Sequence, residues 1–403
     1  MDLKSGYPFW AIKNGLMCAF PQLQADISCD VVVVGGGITG SLIADELTTH
    51  GFDVVVVEQR DIGWGSSAAS TALLQYEIDT HMVDLATMYG ETQAVLAYKA
   101  CAAAITDIGK LANELGDVDF SMQHSLYYAS KRSDKTALRE EYLLRKKHQF
   151  AMQWLDAAGV KEQFGIKAPC AILSKLAGCI DPYRMASRLL LRLAERGGRV
   201  FDRTVIASIK PTANKVTLRT PEGYQIHTKH LVMAAGYASQ KWLKQPVAKN
   251  RSSYAFITDP MAAEDLGWLA STMAWESARP YLYMRTTGDN RLLVGGDDDD
   301  TDIPARRDKR VESKAKGLVK KVEKLLPQLT LRPAFSWGGT FAETEDGLPF
   351  FGEHPQWGPR VLFAMAYGGN GISYSMIGAG LLRATIEGRS HPLAPLFGFS
   401  RLD

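Results

Sequence analysis

The sequence predicts an α/β protein in which a discontinuous Rossmann-like nucleotide-binding domain carries an inserted α+β domain built on an antiparallel sheet. Three observations predict this architecture. Residues 31–58 place a glycine motif between two valine runs. Strand and glycine-loop patterns return at residues 230–239 and 361–388. The chain between these patterns alternates amphipathic helices with short strands, which is typical of a second lobe.

These patterns also predict the domain boundaries. At 403 residues the chain exceeds one ordinary domain. We expect the nucleotide-binding domain to comprise residues 1–95, 165–245 and 330–403. The inserted substrate domain is expected to comprise residues 96–164 and 246–329.

The first glycine motif has a physical role for each of its parts. The valines at 31–34 are typical of a strand buried on both faces of a parallel sheet. Gly35 permits a tight turn, Gly37 lets the backbone approach a pyrophosphate, and Gly40 lets the following helix pack closely. The helix N-terminus attracts phosphates, and Glu58 can accept hydrogen bonds from a ribose. The complete unit therefore predicts a dinucleotide site.

The other elements follow from periodicity and from turn residues. We expect an extended arm over 1–28, helices near 82–115, 135–158, 183–196 and 307–326, and strands at 125–130, 199–201, 204–209, 215–220, 225–234, 251–258, 272–276, 281–285 and 291–295. Asp181 is the predicted N-cap of the third of these helices, with Pro182 in its first turn. The carboxylate run at 297–300 favours a solvated turn over a metal site, because no His or Cys lies nearby.

Composition excludes several classes of function. The formal charge of +2 and the lack of a long basic stripe argue against nucleic-acid binding. The apolar runs are too short to span a bilayer, and the N-terminus lacks a signal-peptide pattern. Five widely spaced cysteines without a CxxC pair favour reduced thiols. These features predict a cytoplasmic protein without a metal site.

The glycine motif fits either FAD or NAD, and three segments favour FAD. Residues 61–71 supply Gly and Ser just beyond Glu58, where a longer cofactor needs small side chains. The segments 230–239 and 361–388 supply a further backbone wall and a second glycine loop before a helix. No second complete glycine motif is present for a nicotinamide cofactor.

Six motifs, in order, cover nearly the whole chain. They are DVVVVGGGITG at 30–40, GWGSSAAS at 63–70, MAAGYAS at 233–239, PYLYMRTTGDNRLLVGG at 280–296, WGGTFAETEDGLPFFG at 337–352 and YGGNGI at 367–372. Together they resemble the D-amino-acid oxidase and glycine oxidase family of FAD-dependent oxidoreductases, including its branch similar to gamma-glutamylputrescine oxidoreductase.

The resemblance implies a non-covalently bound FAD, because the His near 63–70 and the Cys near 337–341 that carry covalent flavin in some relatives are absent. It places the backbone of Val205 against adenine and the loop 369–372 against the flavin. The residues assigned to FAD are Gly35, Gly37, Ile38, Thr39, Gly40, Glu58, Gln59, Arg60, Ser66, Ser67, Ser70, Val205, Gly236, Gly339, Gly368, Gly369, Asn370, Gly371 and Ile372.

The resemblance also implies a substrate site. Arg285 matches the position whose guanidinium pairs with a substrate carboxylate, although a surface ion pair is the alternative. Tyr281 and Tyr283 share its face of the strand, as a substrate wall or as core packing. Tyr254 is a candidate for the opposite wall. Phe341 stands where relatives often carry a second arginine, which favours a larger or less charged amine.

The predicted function is oxidation of the C–N bond of an amino acid or related amine to an imine, with oxygen or another acceptor taking the electrons. Leu293 replaces a lysine that activates oxygen in sarcosine oxidases, so the acceptor stays open. The alternatives are a flavin monooxygenase reduced by NAD(P)H, a nicotinamide-linked dehydrogenase, and a binding module on the same scaffold.

Overall fold

The computed structural model describes residues 3–402, so the ends of the predicted arm and of the last domain segment lie outside it. The strands are β1 Lys4–Gly6, β2 Ile27–Val34, β3 Val54–Val57, β4 Leu73–Leu74, β5 Ser121–Tyr128, β6 Met152–Asp156, β7 Cys170–Cys179, β8 Arg199–Phe201, β9 Ser208–Pro211, β10 Val216–Arg219, β11 Gln225–Met233, β12 Lys249–Thr258, β13 Thr272–Glu276, β14 Leu282–Thr286, β15 Leu292–Asp299, β16 Pro333–Glu343, β17 Phe350–Glu353 and β18 Val361–Met365.

Helices cover both sheets. The α-helices are α1 Phe9–Asn14, α2 Ile38–Thr49, α3 Ser66–Ala69, α4 Met82–Tyr89, α5 Glu91–Leu115, α6 Lys135–Lys147, α7 Ala157–Phe164, α8 Pro182–Glu195, α9 Ala263–Leu266, α10 Pro304–Leu325, α11 Gly371–Ile386 and α12 Ala394–Phe397. Short 3₁₀ turns lie at Arg132–Asp134, Gly236–Trp242, Gly267–Ala270 and Phe399–Leu402.

The first sheet is the predicted nucleotide-binding sheet. Its strand order is β17-β18-β11-β2-β3-β8, and every pair from β18 to β8 is parallel. Val31 and Val33 pack in the core under α2, α5, α8 and α11, whereas Val32 packs in the core on the opposite face. The valine run is therefore buried on both faces, as predicted for a parallel strand.

The second sheet has the order β1-β16-β12-β15-β14-β13-β5-β7-β4, with β6 beside β7. Its pairs are antiparallel except for β13 with β5. One face packs on α10 through Val311, Ala315 and Leu318. The other face of the second sheet is turned toward the first sheet, and a space lies between the two sheets.

The domain boundaries stay a prediction, and sheet membership does not follow them at three places. The strands β7 and β16 fall within the predicted nucleotide-binding segments 165–245 and 330–403, but both hydrogen-bond into the second sheet. Helix α5, assigned mostly to the substrate domain, packs instead on α11 and on the core of the first sheet. Periodicity identifies an element but does not show which sheet it joins, because pairing is set by distant segments.

Several element predictions also need correction. The extended arm contains helix α1, and Trp10 within it is fully buried. The helix predicted over 135–158 ends at Lys147, and strand β6 follows it. The strand predicted at 204–209 begins only at Ser208. Strand β7 was not predicted.

The capping prediction is confirmed. The Asp181 carboxylate accepts hydrogen bonds from the backbone N–H groups of Tyr183 and Arg184, and Pro182 occupies the first turn of α8. No helix within residues 3–402 combines the length and apolarity that crossing a membrane requires.

Candidate functional site

A large cavity lies between the two sheets. Its empty space, counted with its opening to solvent, is about 2270 Å³. On the side of the first sheet, the cavity is bordered by the N-termini of α2 and α11 and by the end of β3. On the other side it is bordered by residues of β12, β13, β14, β15 and β16. One continuous space therefore connects the predicted dinucleotide site with the predicted substrate wall.

The N-terminus of α2 forms one end of this cavity. Its N-cap, Gly37, provides no side-chain cap, and only the Ile38 N–H is taken by a protein side chain, the Ser67 hydroxyl at 2.9 Å. A Cβ on Gly40 would lie 1.9 Å from the Gly35 carbonyl oxygen, so only glycine lets the helix approach the turn this closely. The N–H groups at this helix end that have no side-chain partner suit a diphosphate.

The Glu58 carboxylate lies beside this turn. It accepts hydrogen bonds from the N–H groups of Gly36 and Arg60, each at 2.9 Å. A carboxylate offers about four lone-pair positions, so two remain for a ribose diol. The protein thus fixes the orientation of Glu58 before any nucleotide binds.

Helix α11 forms the second cofactor-facing end of the cavity. The Gly369 N–H donates to Asp79 at 2.8 Å, and the Asn370 side-chain amide donates to the carbonyls of Gln75 and Glu77. These two groups therefore hold the loop in place and are not free donors. The N–H groups of the first turn of α11 remain.

Buried polar atoms test whether these residues fit FAD. The Arg60 Nε and Ser66 Oγ atoms are buried at the cavity and have no hydrogen-bond partner in the described protein. A buried polar atom without a partner is costly, and a polar cofactor with ribose, phosphate and ring oxygens would satisfy both. Together with the uncapped α2 terminus, they fit FAD.

Most of the residues predicted from sequence border this cavity. They are Gly35, Gly37, Ile38, Thr39, Glu58, Gln59, Arg60, Ser66, Ser67, Ser70, Val205, Gly236, Tyr254, Tyr281, Tyr283, Gly339, Gly368, Gly369, Asn370, Gly371 and Ile372. Gly40 lies behind the wall, in contact with Gly35.

Arg285 does not lie at the cavity, which corrects its predicted role as a carboxylate anchor. Its side chain is 1% exposed, and its guanidinium donates to the backbone carbonyls of Thr71, Thr286 and Ile180 at 2.8–3.1 Å. It also lies 5.2 Å from the Trp10 ring centre. Strand alternation correctly places it on the face of Tyr283, but loops from elsewhere in the chain cover this end of the strand.

The predicted role of Tyr254 also needs correction. Its hydroxyl donates to Asp299 at 2.7 Å, and the Lys314 ammonium of α10 lies 5.2 Å from its ring centre. The Tyr254 ring therefore faces α10, although Tyr254 borders the cavity together with its neighbour Ser253. The Ser253 hydroxyl lies 3.4 Å from the Tyr283 hydroxyl.

Three aromatic side chains form the wall opposite the first sheet. Tyr281 and Tyr283 meet edge to face, with ring centres 6.0 Å apart. Trp275, which sequence analysis missed, pairs across the strands with Tyr283 and stacks on Tyr127 at 3.7 Å. A Cβ on Gly295 would lie 2.3 Å from the Tyr283 ring, so this glycine lets the ring lie flat on the sheet.

Two carboxylates missed as site residues complete this wall. The Tyr281 hydroxyl donates to Asp79 at 2.8 Å. Burial, and to a smaller extent the negative charge of Asp79, raises the pKa of Tyr281 well above its usual range. Burial also raises the pKa of Asp298 to about 6, with further repulsion from Asp79 and Glu343. Asp298 was visible in the sequence only as one member of an acidic run.

A buried ionic cluster supports the cavity floor. Glu77 borders the cavity with a fully buried side chain, and Ser174 donates to it at 2.5 Å. Arg145 lies 3.6 Å from Glu77 and donates to Glu141 at 2.6 Å. Burial raises the pKa of Glu77.

Comparison with known proteins agrees with this geometry. The model of the DAO family, described as FAD dependent oxidoreductase, matches residues 30–385. The chain is 27% identical over 393 residues to gamma-glutamylputrescine oxidoreductase of Escherichia coli, covering 94% of this chain and 88% of that protein. It is 26% identical over 382 residues to glycine oxidase of Geobacillus kaustophilus, covering 92% and 96%.

The fold is likewise similar to a solved structure. The crystal structure of glycine oxidase from Geobacillus kaustophilus superposes with a TM-score of 0.79 at 21% identity, covering 93% of this chain and 99% of that one. This similarity extends to both sheets, because it spans nearly the whole of each chain.

Proposed function

Because this chain belongs to the DAO family of FAD-dependent oxidoreductases, we propose that it oxidises the C–N bond of an amine or amino acid to an imine. The proposal rests on one observation. The N-termini of α2 and α11, which suit FAD, border the same cavity as the aromatic side chains of the second sheet. The names of the relatives, glycine oxidase and gamma-glutamylputrescine oxidoreductase, support the choice of nitrogen substrates.

Gly37, Ile38 and Thr39 would hold the diphosphate, Glu58 the ribose, and the first turn of α11 the flavin end. FAD bound there supplies the acceptor for the hydride that leaves the substrate carbon as nitrogen loses a proton and the C=N bond forms. Water then hydrolyses the imine. No Cys or His borders the cavity in the described part of the chain, which supports a non-covalently held cofactor.

The side chains of the cavity wall orient the substrate and exclude water from it. Tyr283 and Trp275 present apolar ring surface that excludes water from the substrate wall. The Tyr281 hydroxyl is held by Asp79 and remains protonated at neutral pH, because its pKa is raised. The substrate is therefore confined between fixed aromatic rings and the end of α11.

We expect purified protein to be yellow and to bleach when a suitable amine is added without oxygen. The assay follows flavin absorbance under anaerobic conditions against D-amino acids, glycine, sarcosine, proline and polyamine derivatives. Colour that returns on admitting air identifies oxygen as an acceptor, whereas colour that returns only with an added carrier indicates a dehydrogenase.

The control addition is NADH or NADPH without any amine. Bleaching by either nucleotide, with none by the amine panel, would contradict the proposal and favour a nicotinamide-reduced flavoprotein. If no compound in the panel bleaches the flavin, that result would also contradict the proposed amine oxidation.

A further inference from the structure

The first three residues of the acidic run, Asp297, Asp298 and Asp299, belong to strand β15 and not to a solvated turn. Tyr254 of β12 pairs with Gly296, whereas Ser252 pairs with Asp299. Strand β15 therefore has one residue more than β12 over this step. Asp297 has a φ of +57°, a left-handed conformation. An extra residue of this kind is a β-bulge, which turns side chains to new directions and is frequent beside active sites.

The bulge decides which carboxylate faces the cavity. With strict alternation, Asp298 would share the face of Val294, which packs in the core formed with α10. The extra residue reverses this pattern. Asp297 and Asp299 turn toward α10, where Lys314 lies 3.3 and 3.0 Å from their carboxylates. Asp298 is left on the cavity side.

Asp298 reaches the cavity without a cationic partner. Its Oδ1 atom is buried and accepts no hydrogen bond, and within residues 3–402 it forms no ion pair. The Ser253 hydroxyl is hydrogen-bonded to the carboxylate, and Asp79, Glu343 and Arg279 are the charged groups that face it.

The neighbouring charges do not neutralise this end of the cavity. Glu343 is paired with Arg251 at 2.5 Å. The Arg279 guanidinium is also engaged by other groups, since it donates to the Asp79 carbonyl and lies 4.4 Å from the Tyr281 ring centre. Counted as formal charges, the carboxylates of Asp79 and Asp298 outnumber the one guanidinium of Arg279 at this end of the cavity.

These features disfavour a carboxylate group on the substrate and favour a positively charged group. A buried carboxylate without a partner is costly, and an ammonium group would relieve that cost. The rings of Trp275 and Tyr283 also favour a cation. Arg285 is engaged by backbone carbonyls, and Phe341 at the cavity is apolar.

We propose that the substrate is an alkylamine without a carboxylate beside the reactive carbon, and that Asp298 binds it through an ammonium group. This inference rests on the proposed amine oxidation, and it narrows the substrate class of the same cavity. Asp298 is thereby a specificity-determining residue that sequence analysis assigned to solvent.

The test uses three small molecules of nearly equal shape. tert-Butylamine has no hydrogen on the carbon beside nitrogen, so it binds without being oxidised. Pivalate is its anionic counterpart and tert-butanol its neutral one. Calorimetric titration of the FAD-loaded protein at pH 8 should show tert-butylammonium binding at least about 10-fold more tightly than tert-butanol, and no pivalate binding.

The matched variants are Asp298→Asn and Asp300→Asn. Asp300 belongs to the same acidic run, but its side chain is 80% exposed and is paired with Arg251. Loss of one partner of a buried charge pair typically costs several kcal/mol, so Asp298→Asn should weaken tert-butylammonium binding about 30-fold or more. Asp300→Asn should leave it unchanged. Flavin absorbance and the melting temperature verify that each variant is folded.

Binding should also depend on pH. Alkylammonium groups stay protonated well above neutral pH, so a loss of affinity as pH falls through about 6 would report protonation of Asp298. This loss should be missing in Asp298→Asn, whose neighbours Asp79, Glu343 and Arg279 are unchanged.

Pivalate binding tighter than tert-butylammonium, or full ammonium affinity in folded Asp298→Asn, would overturn the inference. The proposed function is tested separately by bleaching. If amino acids bleach the flavin and simple amines do not, amine oxidation stands and the substrate class proposed here fails.

Discussion

Gly40→Ala is expected to yield a protein that purifies without its yellow cofactor. The added methyl group would lie 1.9 Å from the Gly35 carbonyl oxygen and 3.3 Å from a methyl group of Val33. The backbone cannot yield easily, because the Gly35 N–H is bonded to the Val57 carbonyl at 2.8 Å. Helix α2 must therefore move away from the strand and carry its N-terminal N–H groups with it.

We expect the dissociation constant for FAD to rise about 100-fold or more, which corresponds to about 3 kcal/mol. Fluorescence titration of the apoprotein with FAD measures it. The matched control is Gly380→Ala in α11, a helical glycine whose added Cβ would meet no atom within 4 Å. That change should leave FAD affinity unaltered and raise helix stability slightly. Equal affinities in all three proteins would contradict this account of the α2 terminus.

Arg285→Ala is expected to destabilise the fold without changing substrate affinity. The substitution removes the donor for three buried carbonyls, at Thr71, Ile180 and Thr286. Each unsatisfied buried acceptor costs about 1 kcal/mol or more, so the free energy of unfolding should fall by about 3 kcal/mol. Urea denaturation with saturating FAD measures the loss.

The control for this substitution is Arg310→Ala, which removes a half-exposed ion pair with Asp299. That pair should contribute less than about 1 kcal/mol. Michaelis constants of the folded Arg285→Ala protein complete the test. A raised KM with unchanged stability would restore Arg285 as a substrate anchor.

The parts that could be predicted from sequence depend on contiguous residues. The valine runs, the glycine turn and the cap at Asp181 are local patterns, so β2, α2 and the start of α8 were predicted closely. The family motifs likewise identified most of the cavity wall. Each of these signals is contained within one short stretch of chain.

The wrong predictions depend on distant partners. The guanidinium of Arg285 is held by carbonyls from residues 71 and 180, which its own strand does not reveal. Asp298 faces the cavity only because β15 pairs with β12 through a bulge. A Gly-Gly pair before an acidic run was the one signal of that bulge in the sequence, since glycine is common where a strand departs from alternation.

FAD and an amine are expected to occupy one cavity between the two sheets, and a crystal structure of the yellow protein would show where the cofactor lies. We expect density for the diphosphate at the N-terminus of α2 and for the flavin rings between the first turn of α11 and the wall of Tyr281 and Tyr283. Density for the flavin rings at any other place, with Asp298 facing no part of the same space, would contradict this expectation.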